Sequence, residues 1–184
     1  QAGIAPRALE FAILTACRSG EVRQATWAEI DLDAALWVIP AERMKMREPH
    51  IVPLSRQAVE LLRELHTHTG GRGMLFPNYR NPKICMTATT LNRALERMGF
   101  NGKDSIGFSA HGFRATASTI LNEIGFRPDV IERQLAHAER NKVRASYNQA
   151  EYLEERRAMM QQWADMTDEM AKSKSMVTPI KRAA

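Results

Sequence analysis

The 184-residue chain is long enough for one domain with a substantial core and short for two. Its hydrophobic fraction of 44% excludes wholesale disorder, and the sequence holds neither an apolar run of membrane-spanning length nor a signal-peptide pattern. A net charge of +5 favours an anionic partner, nucleic acid before membrane.

The first predicted element is a helix over 7–18, with Leu9, Phe11, Ile13, Leu14 and Cys17 on one side and Gly20 just past its end. Ser19 is placed to cap a short second helix with Glu21 in its first turn and Val22 and Trp27 as apolar anchors. Ala35–Ile39 reads as a strand stopped by Pro40. Arg43–Met46 and His50–Pro53 read as two more strands around a turn at Arg47–Pro49, the three forming an antiparallel sheet. Ser55 caps a helix carrying Val59, Leu61, Leu62 and Leu65 and ending near Gly70. Residues 70–86 are mostly loop. Helices follow from Thr87 or Thr89 through Met98, over 110–124, over 128–136 with Pro128 in its first turn, near 141–147, and over 151–169. The tail from Lys172 has no periodicity and reads as basic and mobile. The expected fold is mainly α with a small three-stranded antiparallel sheet (α+β). Cys17 and Cys85 lie in different segments and read as reduced thiols.

His111 and Arg114 are three apart, so a helix brings them to one side, where they offer a proton acceptor and a planar cation. Arg18 lies upstream in Thr15–Glu21; His137 follows in Gln134-Leu-Ala-His, and Tyr147 in Ala145-Ser-Tyr. A DNA phosphodiester repels nucleophiles, so its cleavage needs charge neutralisation above all. Arg18 and Arg114 supply fixed positive charge, His111 can take a proton, and His137 can add a hydrogen bond. The phenol of Tyr147 ionises at about 10 when unperturbed and becomes a nucleophile more readily beside cations. Lys45, near the turn of the predicted second strand, is a candidate proton donor to the leaving sugar oxygen. Each residue also has a plainer reading. Arg18 can face a helix dipole, His111 can merely start a helix, His137, Tyr147 and Tyr152 can be packing residues, and Lys45 can be solvated. Met159, Met160, Trp163 and Met166 read as core. His66 and His68, two apart on a helix, point different ways, and no zinc motif or phosphate-cradling glycine loop occurs.

The ordered set resembles the tyrosine recombinase family, and within it the prophage integrases of enterobacterial type. The matching stretches are Thr15–Glu21, Ala28–Asp33, Pro40–Lys45 with His50–Leu54, Ala110–Arg114, Gln134–His137, and Tyr147-Asn148 within Arg144–Leu153. The resemblance implies a catalytic domain over 1–170, N-terminally truncated, that forms half of a C-shaped clamp on DNA, with a tail over 171–184. It implies phosphate-binding Arg18 and Arg114, a base His111, a second histidine His137, the lysine Lys45 and the nucleophile Tyr147, with Tyr152 as a rival. It implies no cofactor and no metal. The partners it implies are double-stranded DNA attachment sites, a homo-tetramer on DNA, and accessory DNA-bending and directionality proteins, in the bacterial cytoplasm. The implied activity is integration or excision of a prophage or genomic island through a 3′-phosphotyrosine. A type IB topoisomerase-like relaxing enzyme and a non-catalytic DNA-binding remnant remain as alternatives. The chain departs from the family pattern in carrying Ala136 where Leu-Gly-His is usual, and in lacking the N-terminal DNA-binding domains such integrases carry.

Overall fold

The computed structural model describes residues 3–45, 47–136 and 152–173. Its organising element is helix α1 (Ile4–Thr15), which packs against five others: α2 (Ser19–Arg23), α3 (Arg56–Thr69), α4 (Thr90–Arg97), α5 (Gly112–Glu123) and α7 (Leu153–Lys172). Between α5 and α7 lies α6 (Pro128–Gln134), begun by the expected proline. Such centrality follows from composition: Ala8, Leu9, Phe11, Ala12 and Leu14 are all buried, so α1 is apolar nearly all round.

The sheet has three antiparallel strands in the order β1 (Ile30–Asp31), β2 (Leu36–Ile39), β3 (His50–Pro53), with Trp37 opposite Ile30 on one side and Val52 on the other. The expected class therefore holds, but one strand is not where the sequence placed it. Arg43–Met46 was expected in the ladder; instead Ala41–Arg43 is a 3-10 turn, closed by Arg43 N–H to Pro40 O and Met44 N–H to Ala41 O. The cause is electrostatic. The Arg43 guanidinium turns inward to the Glu29 carboxylate at 2.5 Å and the Glu21 carbonyl at 2.6 Å, which a strand residue could not reach. The third strand is β1, too short to show alternation. The Asp31 carboxylate accepts from Asp33 and Ala34 N–H, and this side-chain turn reverses the chain into β2.

Two apolar clusters result. The larger joins α1, the sheet, α3 and α4 around Phe11, Trp37 and Phe76; the rings of Phe11 and Trp37 are 5.2 Å apart. Phe11, Leu62 and Phe76 are fully buried, each contributing roughly 1.5–3 kcal/mol. The smaller joins α5, α6 and α7 around Leu121, Ile131, Met159, Met160 and Trp163, with Met166 half-buried, so this group packs as expected. Ala16 belongs to the second cluster and Cys17 to the first, so the link after α1 runs along the seam. The expected helix over 141–147, and the tail beyond Ser173, lie outside the described residues.

Candidate active site

Helix α1 stops three residues short of the expected 18 because Ala16 takes a left-handed conformation, φ 52°. Arg18 consequently is not in the last turn of a helix facing a negative dipole end; it is the residue preceding α2. There Glu21, buried to 7% exposure, receives both the Arg18 backbone N–H at 2.8 Å and its Nη1 at 2.7 Å. One carboxylate thus caps the helix start and aims the guanidinium.

Arg114 lies on α5 and is 5% exposed. Its Nη1 donates to Ala16 O at 3.1 Å and its Nη2 to Leu135 O. Arg18 Nη2 donates to the next carbonyl, Ala136 O, at 3.1 Å. The two arginines, 96 positions apart in sequence, are tied to consecutive carbonyls of one turn. Burial first, and then the Arg18 charge, draw the Arg114 pKa below its ordinary value. Arginine stays cationic regardless, so two like charges are held together with N–H donors left over. A bound anion relieves that repulsion, which is what such a pair is suited to do.

The turn itself is held by α6. The helix ends at Gln134, two residues short of the expected 136; Leu135 caps it and Ala136 is left-handed, φ 46°. Gln134 is buried and bonded at both ends. Its side-chain N–H donates to Thr15 O at 3.0 Å, its side-chain oxygen accepts from Arg156 Nε at 3.1 Å and Nη2 at 2.9 Å, and its backbone carbonyl accepts from His50 Nε2 at 3.1 Å. A carbonyl can only accept, so His50 carries its proton on Nε2. Glu21, Gln134 and Arg156 were not singled out from sequence as site residues. Glu21 and Gln134 stand inside the motifs that were read; Arg156 shares the face of α7 that carries Met159, Met160 and Trp163, a signal in the helical spacing that its residue type obscured.

Of the other expected site residues, His111 immediately precedes α5, is exposed, and makes no side-chain hydrogen bond among the described residues. Lys45 is exposed after the 3-10 turn rather than within a strand. His137 and Tyr147 lie outside the described residues, His137 being next in sequence to Ala136. Tyr152, the rival nucleophile, sits beneath Arg127, whose guanidinium carbon is 4.9 Å from the ring centre, and its hydroxyl hydrogen-bonds to Asp129.

Two buried groups fix the local pH behaviour. Burial, reinforced by Glu21, pushes the Cys17 thiol up to about 12, so it is inert as a nucleophile at neutral pH; Cys85 is also a free thiol. Burial, and then the Arg156 charge, pull His50 down to about 3 from 6.5. The folded protein holds His50 neutral while the unfolded chain protonates it below about 6.5, so this contribution to stability is complete above that pH and lost as pH falls toward 3. Urea melts between those pH values should show a slope of up to ~1.4 kcal/mol per pH unit from this group. The slope should flatten in His50→Gln, and an unchanged slope in that variant would discard His50 as the source.

The family model for the phage integrase family matches residues 5–154, and the chain belongs to that family. It is 48% identical over 154 residues to the prophage integrase IntA of Escherichia coli (strain K12), covering 84% of this chain and 36% of that protein. It is 46% identical over 175 residues to the integrase of Enterobacteria phage P4, covering 88% and 39%. The chain thus spans about two fifths of the length of these curated relatives. Among solved structures, the integrase from mycobacterium phage Brujita aligns over 89% of this chain and 53% of its own, with TM-score 0.64 at 19% identity. The XerA recombinase aligns over 80% and 63%, with TM-score 0.58 at 20% identity. At those identities the likeness is one of fold.

Proposed function

We propose that this chain breaks and rejoins DNA in site-specific recombination. The carrying observation is the attachment of Arg18 and Arg114 to the consecutive carbonyls of Ala136 and Leu135, the turn that leads into His137. In this reading residues 1–170 are the catalytic domain and 171–184 a basic tail. The scissile phosphate lies against Arg18 and Arg114, with His137 giving a third hydrogen bond. Tyr147 passes its phenolic proton to His111 and its oxygen bonds to phosphorus. The phosphorus–O5′ bond breaks, and the departing oxygen takes a proton from Lys45. The product is a 3′-phosphotyrosine and a free 5′-hydroxyl, and attack by a partner strand's 5′-hydroxyl reverses the step on a new strand. All the positive charge this needs comes from side chains, so no metal or other cofactor is required. The stacking of Tyr152 under Arg127 and its bond to Asp129 favour Tyr147 over its rival.

Double-stranded DNA is the partner that the surface suits. No Asp or Glu occurs from Leu65 to Leu95, while Arg72, Arg80, Lys83 and Arg93 are exposed there. In the same stretch Tyr79 stands fully exposed on a loop braced by the Asn78 side chain, which accepts from Arg80 and Asn81 N–H. Arg23, on the helix that follows Arg18, donates to Met86 O at 2.6 Å and ties this loop to the site. The XerH neighbour was solved bound to its difH substrate. The names of the curated relatives favour a prophage as the element that is moved; attachment sites of a prophage or genomic island as the substrate, and a homo-tetramer with accessory DNA-bending and directionality proteins as the assembly, are part of the same proposal.

Purified protein should form a covalent adduct, in excess EDTA, with nicked duplexes carrying the junctions that border its own gene. Tyr147→Phe should form none. Adducts that persist in Tyr147→Phe, or that require added Mg²⁺, would overturn the assignment.

A further inference from the structure

Arg156 is completely buried on α7, yet no described residue neutralises it. Its Nε and Nη2 donate to the neutral Gln134 amide, Nη2 also to Ile51 O, and Nη1 is buried without a hydrogen-bond partner. Among the described residues no carboxylate is paired with it. Among the described residues the titratable groups facing it are Arg133 on α6, His50 on β3 and Cys17 after α1, and Arg114 on α5 acts on the same His50 and Cys17. None of these is anionic at neutral pH. The acid that acts on Cys17 is Glu21, already held by Arg18. A buried charge without a counter-ion is destabilising, and an apolar side chain of similar volume often serves stability as well or better. Stability alone therefore does not account for an arginine here.

We propose that Arg156 is a positioning residue for strand cleavage: through Gln134 it fixes the turn that holds Arg18 and Arg114, and its unneutralised charge raises the positive potential where the phosphate binds. This rests on the reading that those two arginines grip the scissile phosphate. The low dielectric around a buried site lets such a charge act over several ångströms. It stabilises the added negative charge of the transition state and favours the attacking phenolate over the phenol.

The experiment compares Arg156→Met and Arg156→Lys with the parent, using single-turnover adduct formation on the nicked junction duplex across pH, beside thermal melting. The methionine protein should melt within several degrees of the parent, because removing a buried charge partly offsets the donors lost to Gln134 Oε1 and Ile51 O, and it should cleave roughly ten-fold or more slowly and need a higher pH to reach half its maximal rate. The lysine protein loses the fork and keeps a charge only while its buried amine stays protonated, so its melting should fall and its cleavage should approach the parent's toward lower pH. A methionine protein with the parent's rate and profile overturns the proposal. Should the methionine protein fail to fold, Arg156→Gln decides, since its amide keeps a donor for Gln134 or Ile51 O without the charge: the parent's rate and profile overturn the proposal, a slower rate with a profile displaced upward upholds it. The underlying reading fails separately. If Tyr147→Phe still forms adducts, the nucleophile is misassigned, while the Arg156 comparison still reports on whichever tyrosine attacks.

Discussion

Arg114→Lys should slow covalent adduct formation by about 10²–10³-fold, the usual cost of losing one well-aimed donor to a developing oxyanion. Arg114 reaches Ala16 O and Leu135 O from its two terminal nitrogens, which joins the end of α1 to the end of α6 while leaving donors for the phosphate. A lysine is a point charge with no planar fork and cannot hold both carbonyls and grip a phosphate in two places. The substitution should also orphan one buried carbonyl, at ~1–3 kcal/mol, lowering the melting temperature by a few degrees in a domain of this size. Rate and melting should be measured on the same preparation. A lysine protein that cleaves within ten-fold of the parent would show that charge alone is sufficient and that the bridging geometry is not.

Gln134→Leu should be the most destabilising single change at the site, at roughly 3–5 kcal/mol, or a drop of about 10 °C in melting temperature. The leucine fits the volume but answers none of the bonds. Thr15 O loses its donor, and Arg156 loses the acceptor shared by its Nε and Nη2. Gln134→Glu makes an informative contrast. It supplies Arg156 with a counter-ion and forfeits only the donor to Thr15 O, so it should melt well above the leucine protein. If the Arg156 charge assists cleavage, the same glutamate should nonetheless slow it. Equal melting of the two variants would show that the Arg156 contacts contribute little to stability.

The sequence disclosed the fold class because its helices announce themselves through periodicity, caps and prolines, as at Ser55 and Pro128. It misplaced Arg43–Met46 because strand propensity is local, whereas Arg43 answers to Glu29, fourteen residues away. It ran α1 on to 18 because a left-handed alanine has no local signature; Ala16 is held by what its carbonyl accepts from α5. The candidate site residues were legible as residue types in an order. Their support was less so: helical spacing puts Arg156 on the face of Met159, Met160 and Trp163, but an arginine ordinarily reaches for water, and its interior partners come from α6 and β3, far away in sequence.

Catalytic centres commonly weaken the proteins that carry them, so that disabling the chemistry makes the scaffold sturdier. On the proposed reading the opposite is built in here. Arg18 and Arg114, which would meet the phosphate, also hold the fold, each stitching together chain segments roughly a hundred positions distant. Loss-of-function screens on this domain should accordingly recover many insoluble proteins among the inactive ones, and attempts to harden it against heat have little to gain from dulling its chemistry.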